Sequence, residues 1–334
     1  MLQQERVYAK RDALIKSLKP QQAVQRVTTA IEDLVGYVSG EETLEFASGA
    51  YASVSHAPRF DIFMAQSDVH GRQLALSFIA AMKLLTFDLD GKMRKAGLKP
   101  WNEIGFARVS GMDSPLFQSI GWQKEADRYL EHIWTAYLSA NADKTNILFG
   151  DPSPGSWINQ HSNPYLVQKA AWFTTMTTVD PTLWRQYGYD PDAESLGPYL
   201  RLAQVWDDSD PAKVRNALQA VRDMNLGSTF IKDEPKGRRV YIVDEFLLLD
   251  DYDIRSVNMR RIAKGLAPVE VESYLPDPLP NAVLPFVQDD IFWPIYLKMC
   301  AELGAAPIRP ESPLQVRLEP ETLRLQVVDP GSMR

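Results

Sequence analysis

The sequence predicts an α+β fold, with a helix-rich amino-terminal half and a mixed carboxy-terminal half that contains antiparallel hairpins. Three observations carry this reading. Apolar residues recur at the helical period through the first 140 residues, whereas strict apolar/polar alternation is confined to segments beyond residue 227. Between them, Gly150-Asp151-Pro152-Ser153-Pro154-Gly155-Ser156 is the densest turn-forming run. It divides the chain into a mainly helical region, 1–150, and an α+β region, 151–334, as two domains or as one continuous unit.

Each element has a local cause. Pro20 suits the first position of a helix, and Val24, Val27, Ile31, Leu34, Val35 and Val38 follow it at helical spacing. Ser67 or Asp68 is placed to cap a second helix, whose apolar face is Leu74, Phe78, Ile79, Met82 and Leu85 and whose expected stop is Gly91. After Gly121 comes an aromatic stripe of Trp122, Ala126, Tyr129, Leu130, Ile133, Trp134, Tyr137 and Leu138. Ser39-Gly40-Glu41-Glu42 and Leu98-Lys99-Pro100-Trp101 read as connections.

In the second half, Asp210-Pro211 starts a helix that buries Val214, Leu218, Val221 and Met224 and ends at Gly227. Ser228–Ile231 and Arg239–Val243 flank a polar loop as one hairpin, and Leu314–Leu318 with Leu323–Val327 form another. Alternation in the second pair predicts one buried face and one wet face.

Composition narrows the class of function. The 45% hydrophobic content, with eight Trp, 13 Tyr and 13 Phe, supplies a substantial core and argues against disorder. A net charge of −7 disfavours a phosphate backbone as partner and suits a basic protein surface. The first residues lack the apolar core of a secretory signal, and no apolar run approaches the ~20 residues a membrane span needs, so a cytoplasmic protein with no membrane partner is expected. Cys300 is the sole cysteine, which excludes an intrachain disulfide and a multi-cysteine zinc site and leaves it a packing role.

No complete catalytic set is legible. The chain has no Gly-x-Ser-x-Gly, phosphate-cradling loop or dinucleotide-binding glycine pattern. His56, His70, His132 and His161 are scattered without metal-ligand spacing, and neither a metal nor a cofactor is expected. The basic pairs Arg238-Arg239 and Arg260-Arg261 sit among acidic residues and read as solvated charge.

The sharpest local motif, Phe87-Asp88-Leu89-Asp90-Gly91, resembles the first motif of haloacid-dehalogenase-like phosphotransferases. That resemblance implies Asp88 as nucleophile, Asp90 as general acid/base and a Mg²⁺ ion, and it supplies the alternative functional reading. Here Lys92 stands where the family has Thr or Ser, and the preceding residues are patterned as a helix rather than a strand.

Acidic clusters are more extensive: Asp207-Asp208-Ser209-Asp210, Asp244-Glu245, Asp250-Asp251-Tyr252-Asp253 and Asp289-Asp290. The run from Asp250 lacks the glycine and terminal glutamate of a calcium loop, and Asp210 fits a helix cap. Asp244, Glu245, Asp250, Asp251, Tyr252, Asp253, Asp289 and Asp290 are therefore the candidate partner-binding residues, offering negative charge to a basic protein. Tyr252, Phe292 and Trp293 would be its aromatic anchors if they lie at the surface, and core residues otherwise.

The segment Thr177-Thr178-Val179-Asp180-Pro181-Thr182-Leu183-Trp184, followed by Val205-Trp206-Asp207, is similar to immunity proteins of bacterial polymorphic-toxin and type VI secretion systems, in particular those paired with restriction-endonuclease-like toxins. The resemblance covers about a tenth of the chain and does not reach the helical first half. It implies a non-enzymatic, cytoplasmic inhibitor that occludes a cognate nuclease toxin or prevents its assembly. Read from the residues alone, Asp180-Pro181 is a helix start and Trp184 a packing residue one turn later.

Overall fold

The structure, a computed structural model, describes residues 2–56, 58–98, 114–128, 198–228, 246, 249–272, 275 and 278–328. It is α+β: predominantly helical, with a small mixed sheet of three strands in the carboxy-terminal part. Among the described residues no helix is long and apolar enough to cross a membrane. The chain divides into two compact units, each assembled from two stretches: Met1–Ser17 with Ile104–Ala282, and Leu18–Glu103 with Val283–Arg334. These are interleaved, unlike the sequential halves suggested by the turn-rich run at 150–156, which itself lies outside the described residues.

The second unit begins with α2 (Pro20–Ser39), following α1 (Leu2–Ser17) of the first unit. Pro20 occupies the start of α2, and Gly40 ends it with φ of 85°, the left-handed conformation glycine adopts without a Cβ clash. The buried face of α2 is Ala23, Val27, Ala30, Leu34 and Tyr37. This corrects the expected face by about one residue: Val27 and Leu34 are buried, whereas Val35 and Val38 are 57% and 51% exposed. The apolar arc of α2 is wider than the part its own unit covers.

After α3 (Leu44–His56) and α4 (Arg59–Met64) comes the 27-residue α5 (Val69–Lys95). Asp68 caps it, its side chain accepting from the Gly71 amide at 2.7 Å. Gly91 does not stop this helix. Termination comes at Gly97, with φ of 76°, where the Leu98 amide returns to the Met93 carbonyl at 2.9 Å. A glycine inside a helix costs only ~1 kcal/mol, which the burial on either side of Gly91 outweighs. From Leu74 to Asp90 every residue of α5 is buried, so this is the central helix of its unit.

Aromatic packing fixes α3, α5 and the later helix α9 (Phe292–Glu302) together. The Phe292 ring meets Tyr51 and Phe78 edge-on, at 5.9 and 6.2 Å between centroids, and the Tyr51 hydroxyl donates to the Phe292 carbonyl at 2.5 Å. Cys300 lies buried on α9, in the packing role expected. The sheet has strand order β1-β2-β3, with β1 (Val287–Asp289) parallel to β2 (Leu314–Glu319) and β2 antiparallel to β3 (Arg324–Val327). The carboxy-terminal hairpin is as expected, with Leu318 paired to Leu325 and both buried. The parallel strand β1 had no signature, being too short to show alternation.

The first unit contains α6 (Pro198–Val205), α7 (Pro211–Ser228) and α8 (Tyr252–Ala263), besides α1 and helical turns at 114–119 and 123–128. Its core joins Tyr199, Leu202 and Trp206 to Val214, Ala217, Leu218 and Val221 of α7, Val257 of α8, and Val269. The helix from Pro211 forms as expected, with Asp210 accepting from the Ala212 amide at 2.9 Å, but it runs past the expected stop at Gly227 to Ser228 and leaves Met224 half-buried. Ser228, expected to open a strand, instead ends α7; the rest of that hairpin, 229–243, and the aromatic stripe beyond residue 128 lie outside the described residues.

Candidate functional site

Two clusters of buried polar side chains stand out, one in each unit. In the first unit the cluster is built on α8, a helix of low hydropathy that is nonetheless buried at Tyr252, Asp253 and every position from Arg255 to Arg261. Arg255 grips the Asp250 carboxylate with both terminal nitrogens, one of them at 2.6 Å, and reaches toward the Ser119 hydroxyl at 3.5 Å. Two-pronged contact of this kind is the strongest arginine–carboxylate geometry. One turn on, the Arg260 Nε donates to the Gln118 side-chain carbonyl at 3.0 Å, and an outer nitrogen lies 3.5 Å from Asp127. Burial pulls the Arg260 pKa down to about 10, against the opposing charge of Asp127.

Arg261 is anchored differently. Its side chain donates to three backbone carbonyls: Ala267 at 2.9 Å, Trp206 at 2.7 Å and Asp208 at 3.0 Å. Asn258 bridges both ways to Val269, donating to its carbonyl at 3.1 Å and accepting from its amide at 2.8 Å. These contacts tie the loops after α6 and after α8 to one helix. The expectation that Arg260-Arg261 is solvated charge is corrected, since the two side chains are 7% and 1% exposed.

In the second unit the cluster surrounds Asp88, in the interior of α5. Lys92, one turn later, donates to Asp88 Oδ2, and so does the Tyr296 hydroxyl of α9, at 2.5 Å. The Tyr296 oxygen in turn accepts from Lys92 at 3.1 Å and from the Ile308 amide at 2.9 Å. All capacity of this hydroxyl is used. Asp90, 5% exposed, has its carboxyl pushed up to about 7 by burial, with the charge of Arg94 opposing. The Asp88-Leu89-Asp90 motif therefore sits within a buried helix, and the strand end that the phosphotransferase resemblance implies is not its setting.

The candidate partner-binding residues are divided between the units. Asp244 and Glu245 lie outside the described residues. Asp250, Tyr252 and Asp253 are buried in the first unit, where Asp250 neutralises Arg255 and half-buried Asp251 lies 3.9 Å from Arg222. Asp289, in the second unit, accepts from the amides of Ile291, Phe292 and Leu318 at 2.9, 3.2 and 2.8 Å, joining the start of α9 to β2. Burial lifts its carboxyl to about 6 even though all three amides favour the charged form. Asp290 pairs with Arg317 at 2.5 Å.

An exposed acidic face is therefore not what Asp250, Tyr252, Asp253 and Asp289 form: all four are buried, and the carboxylates of Asp250 and Asp289 are matched to partners inside the fold. The proposed aromatic anchors are core as well: Phe292 is fully buried, and half-buried Trp293 packs on Phe286 and Tyr296 at 5.8 and 5.3 Å. Sequence reasoning missed Arg255, Arg260, Arg261 and Tyr296. For Asp88 and Lys92 a signal was present, since opposite charges at i and i+4 adjoin on a helix.

Of the histidines, His70 is exposed in the first turn of α5, and His132 and His161 lie outside the described residues. Among those described, no group of three or more His, Cys, Asp or Glu is placed to hold a metal ion. Trp206, from the segment resembling immunity proteins, is buried beneath Lys264, whose ammonium lies 4.4 Å from the ring centroid, while 177–184 lies outside the described residues. No family model, curated protein or solved structure matches the chain.

Proposed function

We propose that the chain is an immunity protein: a non-enzymatic inhibitor that binds and neutralises a cognate nuclease toxin in the cytoplasm. One observation supports binding over catalysis. The carboxylates that reaction chemistry would draw on are engaged in holding the fold, Asp88 by Lys92 and Tyr296, Asp250 by Arg255, and Asp289 by three backbone amides. A nucleophile needs an open approach, and Asp88 is instead buried in the interior of a helix with its Oδ2 taken by Lys92 and Tyr296.

The net charge of −7 supports a basic partner, and a nuclease is basic where it grips its polyanionic substrate. Since the buried aspartates serve the fold, the charge offered to that partner comes from exposed carboxylates. The test is capture of neighbouring gene products on the purified chain, followed by a nuclease assay. Binding with loss of nuclease activity is expected. A bound nuclease that stays fully active, or no binding by any neighbour, overturns the proposal, and Mg²⁺-dependent phosphatase activity abolished by Asp88→Asn would replace it.

A further inference from the structure

α2 carries two seams of coiled-coil spacing, and the described residues of its own unit bury one of them fully and the other only in part. Ala23, Val27, Ala30, Leu34 and Tyr37 form the covered seam. Val24, Thr28, Ile31, Val35 and Val38 repeat the same alternation of four and three residues one position on. Val35 and Val38 are more than half exposed, and Val24 and Ile31 half-buried. At the end of this seam α9 adjoins, its Lys298 donating to the carbonyls of Tyr37 and Val38 at 3.3 and 3.1 Å, and its Leu297 is 37% exposed.

The rim of the seam is acidic. Exposed Glu32 lies one turn before Val35, on the open flank of the seam. Glu41 and Glu42 fold back so that both amides donate to the Gly36 carbonyl, at 2.8 and 3.1 Å. The Glu42 side chain lies against Gly36, where a Cβ would come within 2.9 Å of its Cγ. Glu302 of α9 accepts from the Tyr37 hydroxyl at 2.6 Å. Against these four carboxylates stands Lys298.

We propose that this seam of α2 is a docking surface for a basic amphipathic helix of a partner protein. The spacing fits a helix laid along α2, and from Thr28 to Val38 it offers ~15 Å, or about three turns, of contact. The charge selects the occupant. A second copy of this chain would set one acidic rim against another, and a nucleic acid would set phosphates there, whereas Lys and Arg flanking an apolar stripe would complement it. The proposal rests on the immunity reading for the identity of the partner, but not for its chemistry.

The test titrates the full chain with a fluorescently labelled helical peptide of about three heptads, Leu at its seam and Lys or Arg beside it, and with a twin carrying Glu in place of the cations. Native chain is expected to bind the basic peptide at least ~10-fold more tightly than the acidic twin, and than the Val35→Asp/Val38→Asp variant binds it. Glu32→Lys/Glu42→Lys should reverse the preference between the twins, and circular dichroism should show both variants folded. Equal binding by native and valine-substituted chains, no binding, or a native dimer dissolved by the valine substitutions overturns it. If a toxin is neutralised equally by native and valine-substituted chains, this surface fails while the immunity reading stands. If the peptide discriminates but no neighbouring gene product binds, the immunity reading fails while the surface stands.

Discussion

Two helices are buried along most of their length in this protein, and they are buried by opposite means. α5 in the second unit places Leu, Phe, Ile, Met and Ala around most of its circumference, so removal of apolar surface from water drives its burial. α8 in the first unit buries three arginines, an asparagine and a serine alongside Tyr252, Val257 and Met259, and is held by directed contacts to loops. Burial of the first kind tolerates small shifts, since it has no preferred angle. The second kind fails if one partner is lost, because the other is then desolvated and unmatched.

The largest expected effect tests that asymmetry. Asp250→Ala leaves the Arg255 guanidinium buried beside Ser119 with its main partner gone, and should destabilise the first unit by about 3–5 kcal/mol in denaturant unfolding. Asp250→Leu combined with Arg255→Met should recover much of the loss, since an apolar pair of similar volume carries no desolvation penalty. If the single and double variants are equally unstable, the packing of α8 rather than its pairing sets its stability. In the second unit the matching experiment is Phe292→Ala, which removes the ring shared by Tyr51 and Phe78 and should cost about 3–4 kcal/mol. No second substitution elsewhere is expected to rescue it, because a cavity has no charge partner to delete.

The same contrast explains what the sequence disclosed. α5 was legible because Leu74, Phe78, Ile79, Met82 and Leu85 keep the helical period and Asp68 is a strong cap residue. The closing hairpin was legible from alternation in Leu314–Leu318 and Leu323–Val327. α8 was not, because periodicity registers only apolar side chains, and buried Arg260 and Arg261 look the same on the page as solvated ones. Which carboxylate meets Arg255, or that Tyr296 meets Asp88 from 208 residues away, depends on tertiary contacts that no local pattern records. The candidate site shows this most: acidic runs have the local signature of surface, yet the fold uses Asp250 and Asp289 inside.

Polar groups inside the mainly apolar unit give a smaller, pH-dependent effect. Asp90 keeps its proton up to about pH 7 when folded and releases it near its ordinary value of 3.8 when unfolded. Stability from this group is therefore fully present below pH ~4 and lost as pH rises through about 7, by up to ~1.4 kcal/mol per pH unit. Asp289, lifted to about 6, acts with the same sign over a narrower window. Asp90→Asn cannot ionise, so its stability advantage over the native chain should grow from pH 5 to pH 8, and the profile between should flatten. Unfolding curves at the two pH values decide this: a native chain more stable at pH 8 than at pH 5, with the Asn variant unchanged in that trend, would mean Asp90 is charged in the folded state.

The smallest effect separates the two seams of α2, where one helix contains both a covered and an uncovered surface. Val27 is fully buried, so Val27→Ala removes methyls from a packed site and should cost about 1–3 kcal/mol. Val35→Ala, eight residues along and 57% exposed, should change stability by no more than ~0.5 kcal/mol. Sequence periodicity treats the two valines as equivalent, since both fall on one wide apolar arc. Only the direction from which α3 covers the helix distinguishes them. A neutral Val35→Ala that nonetheless weakens binding of the basic peptide would separate the two roles: Val27 retained for folding, Val35 for contact. Equal destabilisation by both substitutions would instead place Val35 in the folded core and remove the uncovered seam on which the docking surface depends.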